Sequence, residues 1–138
     1  MTFVKVCGIT RLEDARAALA AGAATLGFVF WPKSPRAVTP DQAAAIITAL
    51  PYGTGAVGVF VNQPVDEINA TVRTAGLTAI QLHGDETPAI LSQLHRPVLK
   101  SVSLAAADAA VTEWPESVLL LVDVHDPERR GGTGRRVD

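Results

Sequence analysis

The residues of this chain that could do chemistry stand in a repeated relation to its apolar runs. Cys7 closes the first run and Pro32-Lys33-Ser34-Pro35-Arg36 follows the second. Asn62 follows the third, Gln81-Leu82-His83-Gly84-Asp85-Glu86 spans the end of the fourth, and Asp123 ends the sixth. A free cysteine is ordinarily a small buried hydrophobe. Lys5 lies two residues before Cys7, on the same strand face, and a neighbouring ammonium favours a cysteine's thiolate, so a basic or nucleophilic role is the competing reading. Asp123 follows Leu119-Leu120-Leu121-Val122. A carboxyl at such an apolar rim is a suitable proton donor because partial desolvation favours its neutral form; the alternative is a cap for the next loop. Arg36 reads first as a solvated charge, but its planar fork suits a carboxylate or phosphate, and Pro32 and Pro35 would stiffen the loop presenting it. His83 reads first as hydrogen-bonded scaffold. Arg129, Arg130, Arg135 and Arg136 surround Gly131-Gly132-Thr133-Gly134, a candidate lid with affinity for an anion that lacks the spacing of a nucleotide-phosphate loop.

Other chemistries are poorly supported. His83, His95 and His125 have no metal-ligand spacing, and a single cysteine excludes an internal disulfide and a multi-cysteine zinc site. No nucleophilic-serine turn is present. The net charge of −2 and 5% aromatic content give no basis for nucleic-acid binding. No apolar run approaches the ~18–20 residues needed to cross a bilayer, and the start has no secretory pattern. A cytoplasmic protein with no membrane contact is expected, and 138 residues that are 48% hydrophobic and 19% charged suffice for one folded domain.

The elements that must position these residues follow a simple alternation. Apolar runs at 3–9, 25–31, 56–61, 79–83, 98–104 and 118–124 are short and nearly continuous, as parallel strands buried on both faces should be. Between them, Leu12, Ala15, Ala18 and Leu19 mark one helix face, closed by Gly22. Thr39-Pro40-Asp41-Gln42 is a capping box with proline at the first helical position. Val65, Ile68, Val72 and Ala75 mark the third helix, ending at Gly76. A fourth is expected from Thr87-Pro88, burying Ile90, Leu91 and Leu94, and a weakly patterned fifth over 105–114. This alternation forces parallel pairing, either in an open doubly wound sheet or in a (β/α) barrel, and in both the polar ends of the strands converge. Cys7-Gly8-Ile9-Thr10 is not a dinucleotide-binding turn, which counts against the first; six units fall short of the eight a closed barrel needs.

Six blocks in order carry a family resemblance: Lys5-Val-Cys7-Gly8-Ile9-Thr10 with Asp14, Gly27-Phe-Val-Phe-Trp-Pro-Lys33-Ser34-Pro-Arg36, Gly58-Val-Phe-Val-Asn62, Gln81-Leu-His83-Gly84-Asp-Glu86, Leu120-Leu-Val-Asp123 and Gly131-Gly-Thr-Gly134. Over its whole length the chain resembles phosphoribosylanthranilate isomerase. The resemblance implies an α/β fold of the (β/α)8 TIM-barrel family, acting without a cofactor or metal in tryptophan biosynthesis. The implied reaction is the Amadori rearrangement of N-(5-phosphoribosyl)anthranilate to 1-(2-carboxyphenylamino)-1-deoxyribulose 5-phosphate. Carried over by position, Cys7 is the general base, Asp123 the general acid, and Arg36 the clamp for the anthranilate carboxylate; Gln81 and His83 fall among the substrate-binding residues.

The chain departs from the family pattern in length. Residues 1–138 are expected to form a single barrel domain lacking the last two βα units, whose backbone amides hold the substrate phosphate in the family. Trp31 stands for an expected tyrosine or phenylalanine, and Val124 is a further departure. Open edges at the first and last strands imply poor stability or self-association, with 118–122 as an aggregation-prone segment, and little turnover from this chain alone. The rival reading is a non-catalytic remnant or interaction module, in which Cys7→Ala and Asp123→Asn would change nothing. A different ribulose-phosphate barrel enzyme is disfavoured, since Lys100 is the sole lysine on the later strands.

Overall fold

A computed structural model describes residues 2–124 of the chain. The expectations for His125 and for the 129–136 glycine-arginine segment lie outside the described residues. Six strands are present: β1 (Lys5–Cys7), β2 (Thr25–Val29), β3 (Gly55–Phe60), β4 (Ala79–Leu82), β5 (Val98–Ser103) and β6 (Leu119–Asp123). All pair in parallel, in the order β1-β2-β3-β4-β5-β6. That order decides between the two architectures. A doubly wound sheet reverses its strand order at a switch point, whereas a barrel adds each strand beside the preceding one. The protein is an incomplete (β/α)8 barrel, with β1 and β6 as open edges among the described residues.

Helices α1 (Leu12–Ala20), α2 (Pro40–Thr48), α3 (Val65–Ala75) and α4 (Ala107–Glu113) cover one side of the sheet. The capping box of α2 forms as its sequence requires: the Thr39 N–H donates to Gln42 Oε1 at 2.9 Å and the Gln42 N–H to Thr39 Oγ1 at 3.1 Å. Gly76 ends α3 in the left-handed conformation, at a φ of 78°. The fourth connection differs from expectation. Pro88–Gln93 is a 3₁₀ segment of 6 residues with no side-chain cap, and Ile90, Leu91 and Leu94 are only partly buried. A short segment depends on packing of an apolar face to offset helix nucleation, and this one buries no residue fully. The weak fifth pattern resolves into a 3₁₀ turn, Leu104–Ala106, leading into α4.

Alternation along the strands sorts the side chains into two sets. Even-numbered residues face the helices: Leu26, Phe28 and Phe30 from β2 and its exit, Ala56 and Phe60 from β3, Ile80 and Leu82 from β4, Val98 from β5. Phe28, Phe60, Leu26, Ile80 and Leu82 are fully buried there with Ile68 and Leu77, and Phe30 stacks on Phe60 with ring centroids 5.3 Å apart. Odd-numbered residues face the other side, where Lys5, Cys7, Val29, Val59, Gln81, Ser101 and Asp123 line a cavity. The expectation of strands buried on both faces holds for the central strands β2, β3 and β4, where Val29, Val57, Val59 and Gln81 are buried on the cavity side as well, and fails toward the edges, where β1 is only partly buried and β6 is partly exposed. On the cavity side the sheet curves over open space, and at its edges Phe3, Leu119 and Val122 are exposed.

Candidate active site

The register of the sheet brings the carboxyl ends of all six strands to one rim. Cys7 sits at the end of β1, opposite Gly27 of β2, and Asp123 at the end of β6, opposite Ser103 of β5. Between these two edges, Gln81 and His83 project from the end of β4. All five residues singled out by the sequence, Cys7, Arg36, Gln81, His83 and Asp123, line the same cavity of about 700 Å³, a size suited to a small metabolite. Lys5 and Lys33 join Arg36 there, against a single carboxylate among the described residues, so the cavity is biased toward anions.

Cys7 and Arg36 are set by two glycines. The loop after β2 turns through a Ser34 N–H to Trp31 carbonyl bond at 3.1 Å and rejoins the sheet where the Val38 N–H donates to the Val29 carbonyl at 2.9 Å. This brings Arg36 back across β1, where its Nη1 donates to the Cys7 carbonyl at 3.1 Å. The guanidinium lies directly on Gly8, where an added Cβ would collide with Arg36 Nη1 and Cζ; Gly8 also has a φ of 86°. A Cβ at Gly27 would fall 2.7 Å from Cys7 Sγ. Both glycines are therefore spaces occupied by a candidate functional side chain.

On the opposite side of the cavity, four side chains form a chain of contacts. Gln81, 5% exposed, donates its two Nε2 hydrogens to Ser101 Oγ and His83 Nδ1, each at 3.1 Å. With Nδ1 as acceptor, the neutral ring carries its proton on Nε2. Nε2 lies 3.6 Å from Asp123 Oδ2. Burial holds His83 below its ordinary pKa; Lys100 and Lys5 act in the same direction, against Asp123 and Glu86. The imidazole is thus neutral near pH 7, and its contact with Asp123 is an N–H directed at a carboxyl, not an ion pair. The other oxygen, Oδ1, accepts from the Val124 N–H at 2.7 Å.

Sequence reasoning missed Ser101 and undervalued Lys100. The signal for Ser101 was its parity, since 99, 101 and 103 share a face, but a serine in a strand has no chemical signature of its own. Lys100 was weighed only as a catalytic lysine. Its even number places it on the helix side, where it is 5% exposed and bonded to Glu86 and Gly84. Among the described residues there is no cluster of side chains suited to a metal ion.

Comparison with known proteins matches this geometry. The family model described as N-(5'phosphoribosyl)anthranilate (PRA) isomerase matches residues 4–138. The chain belongs to the PRA isomerase family. It is 48% identical to the N-(5'-phosphoribosyl)anthranilate isomerase of Citrifermentans bemidjiense, in an alignment that covers 100% of this chain and 68% of that protein. The crystal structure of the Thermus thermophilus phosphoribosyl anthranilate isomerase superposes with a TM-score of 0.84 at 41% identity, covering 92% of this chain and 64% of that one. A further PRA isomerase, solved in complex with reduced 1-(O-carboxyphenylamino)-1-deoxyribulose 5-phosphate, gives a TM-score of 0.81 at 38% identity, over 91% of this chain and 66% of its own. The chain thus spans about two thirds of the length of the PRA isomerases it matches.

Proposed function

We propose that this chain carries the acid–base machinery for the Amadori rearrangement of N-(5-phosphoribosyl)anthranilate in tryptophan biosynthesis. The observation that carries the reading is the shared cavity: Cys7 and Asp123 belong to opposite edges of the sheet, yet both line one concave space. An aminosugar held there presents its ring oxygen to Asp123 and the C2′ hydrogen to Cys7. Asp123 donates a proton to the ring oxygen as the C1′–oxygen bond breaks, leaving an iminium. That cation acidifies C2′, and the Cys7 thiolate removes its proton to give an enolamine, which tautomerises to the aminoketose. Arg36 holds the anthranilate carboxylate in a charge-assisted pair. His83, fixed as the Nε2–H tautomer by Gln81, directs its N–H at the Asp123 carboxyl and sets the orientation of the acid.

The direct test is fluorimetric conversion of phosphoribosylanthranilate, generated in situ, by wild-type protein and by Asp123→Asn. Turnover is expected in a form spanning the relatives' whole length, and much less from these 138 residues alone. Asp123→Asn is expected to lower it by about 10²–10⁴-fold. Near-normal turnover by that variant would remove Asp123 from the role of acid.

The same reading treats residues 1–138 as a single barrel domain, working in the cytoplasm. Among the described residues no helix is long and apolar enough to cross a membrane. The open edges support self-association, because among the described residues no strand pairs with the outer edge of β1 or of β6, beside exposed Phe3, Leu119 and Val122. Sedimentation velocity over a concentration series should show mass rising with concentration. A single monomer boundary throughout would count against it.

A further inference from the structure

The interior of the sheet's helix side contains an ion pair that the reaction does not use. Lys100 on β5 is 5% exposed, and its Nζ lies 5.6 Å from the centre of the Trp114 ring. It donates to the Gly84 carbonyl at 2.6 Å and to Glu86 Oε1 at 3.1 Å. The Lys100 and Glu86 side chains are 6% and 4% exposed. A pair this deep is poor evidence of stabilisation, because desolvation offsets most of the attraction; what it secures is geometry.

The geometry secured is that of the turn after β4. Glu86 Oε1 also accepts from the Gly84 N–H at 2.8 Å, and Oε2 from the Asn62 N–H at 2.9 Å. On the other side of His83, its own N–H donates to the Phe60 carbonyl at 2.8 Å. The peptide planes before and after His83 are therefore both anchored: the first by the sheet, the second by the Glu86 carboxylate. Those two planes fix φ and ψ of His83, and with them the direction of its Cα–Cβ bond toward the cavity. Gly84 leaves no slack, since a Cβ there would fall 2.9 Å from the Asn62 nitrogen.

We propose that Lys100 is a positioning residue for His83: by holding Glu86 against the Gly84 N–H and seizing the Gly84 carbonyl, it locks the turn that aims the imidazole at Asp123. Lys100 is not among the residues that line the proposed reaction cavity, although it lines a neighbouring one with His83 and Asp123. The lock acts through the backbone of the turn, by way of the Gly84 carbonyl and the Glu86 carboxylate. The inference deepens the functional reading and rests on it for the purpose of the lock, while the lock itself is a statement about His83 geometry alone.

The test separates the two. In uniformly ¹⁵N-labelled protein near neutral pH, the wild-type His83 ring should show one protonated nitrogen, Nε2, and one acceptor nitrogen, Nδ1. Lys100→Met should bring the two ring shifts toward each other as the tautomers average, with loss of exchange protection at the Gly84 amide. If Lys100→Met does not fold, the double variant Lys100→Met/Glu86→Leu leaves no lone buried charge and should show the same changes. In a full-length form, turnover should fall by about tenfold to a hundredfold with KM unchanged, the signature of misplacement and not of lost binding. A folded variant with wild-type His83 shifts and Gly84 protection overturns the lock, whatever its melting temperature. A wild-type form spanning the relatives' whole length that shows the tautomer but converts no phosphoribosylanthranilate overturns the functional reading and leaves the lock standing.

Discussion

Cys7→Ser in a form spanning the relatives' whole length is expected to lower kcat by about 10²–10⁴-fold while leaving KM within a few-fold of wild type. The substitution changes almost nothing but the acidity of one atom. Serine fits the space beside Gly27 more easily than cysteine does, so the packing at the end of β1 is preserved. An alcohol, however, is intrinsically far less acidic than a thiol, so serine cannot supply the anion that removes a proton from carbon. Lys5 lines the same cavity and remains in place in the variant, so the electrostatic field meeting the substrate's carboxylate and phosphate is unaltered. Loss confined to kcat would identify an interaction made only as the C2′ proton leaves. A matching rise in KM with kcat preserved would instead make Cys7 a binding residue.

Arg36→Met is expected to act in the opposite column, raising KM by about tenfold to a hundredfold through loss of a charge-assisted hydrogen bond. Arg36 is exposed and stands on a loop, which limits the effect relative to a buried pair. Its pre-organisation works against that limit, because the Cys7 carbonyl already holds one arm of the fork at 3.1 Å. The remaining nitrogens are left to meet a planar carboxylate. Gly8→Ala should reproduce part of the same KM increase while leaving the arginine in the sequence, because the added carbon displaces the guanidinium from the place where it lies. Parallel titration with anthranilate itself, followed by its fluorescence, reads the carboxylate interaction separately from the sugar. Equal anthranilate affinity in wild type and Arg36→Met would remove Arg36 from that contact.

Much of this was legible in the residues. The apolar runs located all six strands because a strand needs only a short continuous pattern, and Thr39-Pro40-Asp41-Gln42 announced α2 because a capping box is a local device that works without tertiary help. Cys7, Gln81, His83 and Asp123 could be placed on one rim because parallel strands share a direction and parity fixes the face. The parts that were not legible depend on partners distant in sequence. Pro88–Gln93 carries the punctuation of a helix start, yet length and packing decided for a 3₁₀ segment. Arg36 had a suitable type, but nothing local said that the loop folds back onto β1. The sharpest case is Lys100. A lysine in an apolar strand invites a catalytic reading until its partners, Gly84 and Glu86 on the preceding connection, are brought beside it by the β4–β5 register.

The order in which the strands lie also bears on how the protein comes into being. Each strand finds its mate in the one made just before it, so no segment must wait for a distant stretch of chain to leave the ribosome. Loop closure between successive partners is correspondingly inexpensive, and low contact order of this kind goes with fast, stepwise assembly. Synthesis from the amino terminus would therefore lay down the cysteine side of the cavity first and the aspartate side last, completing the reactive pair only as the sixth strand docks.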